Sequence, residues 1–144
     1  MSSLLMVGVD GSECGERAVE FAARRAKNSG ARLLITFIIE WSPFTFSTPM
    51  ENAERHQRRE EEIQRAHSEI VDPIVDRLKS EGLEVEGLVR HGHVAETLNA
   101  LAMENGVTNI ILGRQGTSKL KAHVFGSVGS RLVQVAGCAV TVVP

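Results

Sequence analysis

Short runs of apolar residues alternate along the chain with longer segments whose apolar residues recur at helical spacing. The first run, Leu4–Val9, has no polar alternation, which is typical of a strand buried on both faces. Alanines then recur on one helical face and predict a first helix over residues 14–29. Gly30 follows at the position where a glycine commonly ends a helix.

The same alternation continues to the end of the chain. Further strands are predicted at Leu33–Ile39, Leu83–Val89, Asn109–Leu112 and Cys138–Val143. Further helices are predicted at Glu51–Lys79, from Val94 to an end at Asn105-Gly106, and at Val128–Ala136. Pro73 is expected to kink or restart the second helix with Asp72 as N-cap, and Ser127 is expected to cap the last helix. Arg90–His93 and Gly113–Gly126 are expected to be loops.

Strands separated by helices require parallel, right-handed crossovers. The predicted fold class is therefore α/β: a doubly wound three-layer α/β/α sandwich around a five-stranded parallel sheet. The 144 residues fit a single domain over 1–144. Alternation of apolar and polar residues in the strand at 83–89 places it at or near an edge of the sheet.

Composition narrows the class of protein. With 42% hydrophobic residues the chain can build a core, and a net charge of −2 gives no basic surface of the kind that binds nucleic acid. The apolar runs are too short for membrane insertion, which needs about 18 residues. Two cysteines, Cys14 and Cys138, cannot form a disulfide framework. With no secretory pattern at residues 1–4, the expected location is cytoplasmic.

Ligands of doubly wound sheets bind beyond the carboxyl ends of the strands. This rule selects Asp10–Ser12, the surroundings of Gly92, and Gly113–Ser127. The last segment reads Gly113-Arg114-Gln115-Gly116, then nine residues, then Gly126-Ser127. Small residues let a ligand approach the backbone closely, and a helix that starts at Gly126-Ser127 would favour an anion such as phosphate.

Positive charge near these glycines strengthens the phosphate interpretation. Lys119, Lys121 and His123 lie between them. The alternative is a flexible loop with helix-cap glycines. The spacing matches neither a Walker loop nor a dinucleotide-binding motif, which argues against the common NTPase and dehydrogenase classes.

The sequence resembles a universal stress protein of the ATP-binding type over its whole length, because three motifs occur in the order typical of that family. The resemblance rests on Val9-Asp10-Gly11-Ser12 after the first strand, on the G-x-x-G-x9-G-S pattern, and on the closing strand Cys138–Val143.

This resemblance implies a nucleotide site. Asp10 would lie near ribose and adenine, Ile38 would offer backbone groups to the adenine edge, and Gly92 matches a family glycine in the third βα loop. The glycine pattern with Ser127 and Val128 would hold ribose and phosphates. The full implied set is Val9, Asp10, Gly11, Ser12, Ile38, Gly92, Leu112, Gly113, Arg114, Gly116, Gly126, Ser127 and Val128.

Asp10 also has a purely local interpretation, as a turn residue that accepts backbone N–H bonds. Its negative charge suits the sugar, the base or a magnesium ion better than a phosphate. The implied ligand is ATP, or AMP or ADP, with Mg²⁺ that arrives on the nucleotide. No metal site formed by the protein alone is expected, because His91 and His93 lack a third ligand at suitable spacing.

The expected function is a nucleotide-dependent regulatory module that acts on an unknown protein partner. The alternatives are a slow ATPase, for which no general base is evident, and a nucleotide-independent dimeric scaffold. The resemblance implies a homodimer joined antiparallel through the last strand, by Val140, Thr141, Val142 and Val143. The aromatic segment Trp41–Phe46 would either fold over the domain or meet a partner.

Overall fold

The computed structural model describes residues 3–40, 49–114 and 122–144. The strands in these ranges are β1 (Leu4–Val9), β2 (Arg32–Glu40), β3 (Val85–Gly92), β4 (Asn109–Gly113) and β5 (Ala139–Val143). The helices are α1 (Glu13–Ser29), α2 (Pro49–Ala66), a π-helical segment (His67–Val71), α3 (Asp72–Ser80), α4 (Val94–Asn105) and α5 (Ala122–Val135). No helix within the described ranges has both the length and the apolar character needed to cross a membrane.

The strands form one parallel sheet in the order β3-β2-β1-β4-β5, which confirms the predicted fold class. Successive residues of β1 point to opposite faces and enter separate cores. Val7 packs in the core under α1 and α3, and Met6 packs in the core under α4 and α5. The chain leaves β1 toward β2 and returns on its other side at β4. The sheet's topological switch point therefore lies between β1 and β4.

The third strand differs from its prediction at both ends. Arg90, His91 and Gly92 were expected in a loop, but they belong to β3. The reason is β2, which runs to Glu40 and supplies a partner for each of them, down to Glu40 opposite Gly92. Leu83 stays outside the strand, because its N–H donates to the Leu78 carbonyl at the end of α3, 3.2 Å away. The prediction of an edge strand is confirmed.

The predicted N-cap at Ser127 is wrong. The helix α5 begins at Ala122, so Gly126 and Ser127 lie inside it. The apolar spacing explains the earlier start, since Val124, Val128 and Leu132 recur at intervals of four and extend the helical face upstream.

The predicted restart of the helix at Pro73 is confirmed, since α3 begins at Asp72, after a π-helical segment that was not expected. Asp72 is not an N-cap: its N–H donates to the His67 carbonyl, five residues back. Pro73 has no N–H to continue the α-helical ladder, and the wider turn accommodates its ring. The segment rests on β3 at Gly87, where a Cβ atom would collide with the Val71 side chain.

Thr36 carries a stability prediction. Its side chain in β2 is fully buried, and its hydroxyl has no hydrogen-bond partner among the described residues. Burying an unpaired hydroxyl costs about 1–3 kcal/mol, so Thr36→Val is expected to raise the free energy of unfolding by about 1 kcal/mol in urea titrations. Thr141→Val is the matched control, because the Thr141 hydroxyl donates to Asn109 and its removal should destabilise. A loss of stability in Thr36→Val would contradict this account.

Candidate functional site

Two loops meet at the switch point between β1 and β4. The strands run in register up to Gly8 opposite Leu112. Because parallel strands end at the same edge, the turn Asp10–Ser12 and the residues Gly113 and Arg114 lie side by side there. Two of the three loops selected by the sequence are thus neighbours.

The turn after β1 is tied into the first turn of α1. Gly11 has φ of +82°, a conformation that glycine adopts without strain. The Ser12 N–H donates to Asp10 Oδ1 at 3.0 Å, and the Gly15 N–H donates to Ser12 Oγ at 3.1 Å. Asp10 therefore has the local turn role, and Ser12 is the N-cap of α1. A carboxylate offers about four acceptor positions, so this one bond leaves Asp10 able to accept from a ligand as well.

Gly113 packs against the protein's own helix. A Cβ atom at this position would lie 2.5 Å from the Cys14 carbonyl oxygen and 2.8 Å from Cys14 Cβ. The sequence pattern suggested that this glycine lets a ligand approach the backbone closely. The structure supplies another reason, because the first turn of α1 passes directly over the end of β4.

The backbone of Arg114 is engaged by the neighbouring strand. Its N–H donates to the Val143 carbonyl of β5 at 2.7 Å. Its side chain is exposed. Arg114 can therefore offer its guanidinium to an anion without disturbing the sheet.

Of the remaining strand-end residues, Ile38 can contribute through its backbone. Val9, Ile38 and Leu112 have buried side chains. Along β2 the Arg32 N–H points to β1 and the Leu33 N–H points to β3. By this alternation the peptide groups of Ile38 face β1. The Ile38 carbonyl then lies beyond Val9, where β1 has ended, and it can accept a hydrogen bond from a ligand.

Gly92 stands apart from the group. It ends β3, the edge strand, and β2 separates it from β1. A Cβ atom at Gly92 would collide with the Thr97 side chain of α4. The glycine is thus required by packing between β3 and α4.

The second half of the glycine pattern is partly described. Gly116 lies outside the described residues, as do Lys119, Lys121 and the aromatic segment Trp41–Phe46. Since α5 begins at Ala122, Gly126 and Ser127 do not provide a helix start, and the argument from free N–H groups at such a start does not apply to them. Val128 is partly buried against the core under α4 and α5.

The helix α5 and the segment that follows it are each held to α4 by a contact that the sequence did not indicate. Arg131 Nε donates to Glu96 Oε1 at 2.8 Å, and the Gly137 N–H donates to Asn99 Oδ1 at 3.0 Å. The hydrogen bond from Arg131 lowers the pKa of the Glu96 carboxyl. The partners are distant in the chain, so no local pattern marks them.

A cavity of about 310 Å³ adjoins the turn after β1 and was also missed. It opens between α1 and α3, and Gly11 and Gly15 form part of its wall. Arg77 Nη2 lies 3.2 Å from Glu16 Oε2 at its rim. The cavity arises where Pro73 interrupts the helix, which is the one sequence signal that pointed to this region.

His91 and His93, the two histidines closest in sequence, have different surroundings. His91 Nε2 lies 3.0 Å from Glu62 Oε2, which ties β3 to α2. His93 precedes α4 without a capping side-chain bond. Across the described ranges no three His, Cys, Asp or Glu side chains gather in a way that could hold a metal ion.

Comparison with known proteins shows which family the chain belongs to. The model of the universal stress protein family matches residues 1–144. Universal stress protein YxiE of Bacillus subtilis is 27% identical over 147 aligned residues, and the alignment covers 99% of each chain. Universal stress protein MT2052 of Mycobacterium tuberculosis is 31% identical over 97% of this chain, which spans 47% of that relative's length.

Solved structures share the fold. Universal stress protein UspA from Lactobacillus plantarum has a TM-score of 0.80 at 21% identity, with 99% of this chain and 97% of that chain covered. A universal stress protein in complex with cAMP has a TM-score of 0.68 at 22% identity, covering 99% of this chain and 97% of that one. One from Archaeoglobus fulgidus in complex with dAMP has a TM-score of 0.62 at 16% identity, covering 100% and 98%. At such identities the likeness establishes the fold alone.

Gly113→Ala tests whether this glycine serves the fold. The added methyl would meet the Cys14 backbone, so we expect the free energy of unfolding to fall by about 1–3 kcal/mol in the absence of any nucleotide. Urea titration of the ligand-free protein measures this. Gly129→Ala is the matched control, because its Cβ would lie 4.0 Å from the Val142 side chain, an ordinary contact. Unchanged stability in Gly113→Ala, with loss of ligand binding only, would assign the glycine to the ligand instead.

Proposed function

Because the chain belongs to the universal stress protein family, we propose that it is a cytoplasmic ATP-binding module that regulates a protein partner. The observation that carries the proposal is the meeting of Asp10–Ser12 with Gly113 and Arg114 at the switch point. The switch point is where doubly wound sheets bind nucleotides. The cAMP and dAMP complexes of two neighbours in the family add support, since both ligands carry an adenine and a phosphate.

The proposed arrangement follows the strand ends. Adenine and ribose lie against Asp10 and the Ile38 carbonyl, with Val9, Gly11, Ser12 and Leu112 contributing backbone. The phosphates lie toward the Arg114 guanidinium and the glycine pattern. Proposed residues there are Gly113, Gly116, Gly126, Ser127 and Val128, and Gly92 is the outermost member of the set.

Magnesium enters this proposal with the nucleotide. Mg²⁺ keeps several waters and takes few protein ligands, so it does not need a dedicated protein site. Asp10 has acceptor capacity left after its bond to Ser12 and is the proposed protein ligand. Bound Mg²⁺ would neutralise phosphate charge beside this carboxylate.

A second candidate is favoured by the packing of Gly113. Since the Cys14 backbone already requires that glycine, the pattern could shape a nucleotide-independent dimeric scaffold. The strand β5 is at the edge of the sheet, with Val142 45% exposed, and an unpaired edge of this kind favours an antiparallel homodimer through Val140–Val143. A slow ATPase or nucleotide-processing enzyme of related fold is the third candidate, and turnover well above ~1 per second would place the protein among ordinary enzymes.

Thermal melting with nucleotides tests the proposed function. Protein freed of nucleotide is melted alone and with Mg-ATP, AMP or cAMP. Ligand at 100 times its Kd adds about 2.7 kcal/mol, which raises the Tm by several degrees. A clear shift with Mg-ATP is the expected result. No shift with any nucleotide would leave the scaffold as the better account.

Gly126→Leu separates ligand contact from helix stability. Glycine inside α5 costs about 1 kcal/mol of helix propensity, so leucine should not weaken the helix by itself. If the backbone at Gly126 approaches phosphate, the bulky side chain abolishes the ATP-dependent shift in Tm. Gly129→Ala controls for the gain in helix propensity in the same helix and should keep the shift. Retained ATP affinity in Gly126→Leu, measured by calorimetry, would contradict the assignment.

A further inference from the structure

The guanidinium of Arg17 joins two parts of the molecule that are distant in sequence. Its Nη2 contacts Cys14 Sγ, and its Nε donates to the Pro144 carbonyl at 3.0 Å. Cys14 belongs to the first turn of α1, and Pro144 directly follows β5. One side chain therefore holds the end of the edge strand against the start of the helix.

Both ends of this connection reach the candidate site. The Cys14 backbone packs on Gly113, and Cys14 follows the turn that Asp10 and Ser12 stabilise. On the other side, the Arg114 N–H donates to the Val143 carbonyl. The end of β5 is thus held by two groups, and each belongs to a segment that borders the site.

The edge strand β5 is the element in this arrangement that can open locally. It has five residues, pairs on one side with β4, and is partly exposed along its length. Short edge strands with exposed hydrogen bonds belong to the least stable units of a fold. A ligand that favours the closed arrangement of Gly113 and the α1 turn would also favour the paired state of β5.

We infer that Arg17 is a positioning residue that couples occupancy of the nucleotide site to the pairing of β5 with β4. The inference rests on the proposed function. Nucleotide bound beside Gly113 fixes the first turn of α1, which contains Cys14. Arg17, on the next turn, then keeps its hydrogen bond to Pro144, so the end of β5 is held more firmly against β4. By linkage, the held strand favours nucleotide binding by the same factor.

Hydrogen exchange with and without Mg-ATP tests the coupling. The readout is the exchange rate of the Val140–Val143 amides, with ATP binding measured separately by calorimetry. In the wild type, saturating ATP is expected to slow exchange at these amides by at least about fivefold. In Arg17→Met the slowing is expected to fall below about twofold, while ATP still binds. A merely structural role would change the exchange rate without removing its response to ATP.

Two further variants make the test specific. Arg24→Met removes an exposed arginine from the same helix and should keep the full response. Arg17→Lys keeps the charge but cannot present two donors in the fork geometry of a guanidinium, so an intermediate response is expected. If Arg17→Met fails to fold, the lysine variant carries the test.

The outcomes separate the coupling from the proposed function. Wild-type protein that binds ATP with no change in β5 exchange overturns the coupling and leaves ATP binding intact. Full protection by ATP in Arg17→Met also overturns it. Failure of the wild type to bind any nucleotide in calorimetry overturns the proposed function and the coupling with it.

Discussion

The close packing of the first turn of α1 on the end of β4 is the contact on which the candidate site depends. With no side chain at Gly113, the Cys14 backbone can lie directly over the strand. Ser12 Oγ accepts the Gly15 N–H of the same turn, and Asp10 in turn accepts the Ser12 N–H. Together these contacts bring the carboxyl ends of β1 and β4 to one place and hold them there.

Several residues of the implied nucleotide site thus have a structural role in addition to any ligand role. Asp10 stabilises a turn, Ser12 caps a helix, and Gly92 makes room for Thr97. Such residues would be required even in a protein that bound nothing. The features left without such a structural role are the meeting of Asp10–Ser12 with Arg114 at the switch point, the Ile38 carbonyl beyond the end of β1, and the exposed side chain of Arg114.

The sequence predicted the regular parts of the fold well because apolar periodicity reports burial directly. The strand β1 has its predicted bounds, α1 starts one residue earlier than expected, and β4 extends one residue further, to Gly113. Errors arose where a neighbour decides the outcome. The length of β3 depends on how far β2 extends beside it, and the sequence of residues 83–92 alone does not show the length of β2.

The candidate site shows the same division. The loops were found from the strand order, yet the reason for Gly113 was missed because Cys14 lies far from it in sequence. The start of α5 was misjudged because Gly126-Ser127 matches a capping pattern while the apolar spacing continues upstream. Contacts such as Arg131 with Glu96 depend on the packing of two helices, which local sequence does not encode.

The proposed nucleotide site lies at the switch point between β1 and β4. Titration of the ¹⁵N-labelled protein with Mg-ATP, followed through backbone amide chemical shifts, locates the bound ligand. The largest changes in chemical shift are expected at residues 10–15 and at Gly113 and Arg114. Changes concentrated at the amino ends of the strands, around the 570 Å³ cavity lined by Arg32, Glu84 and Glu86, would contradict the proposed site.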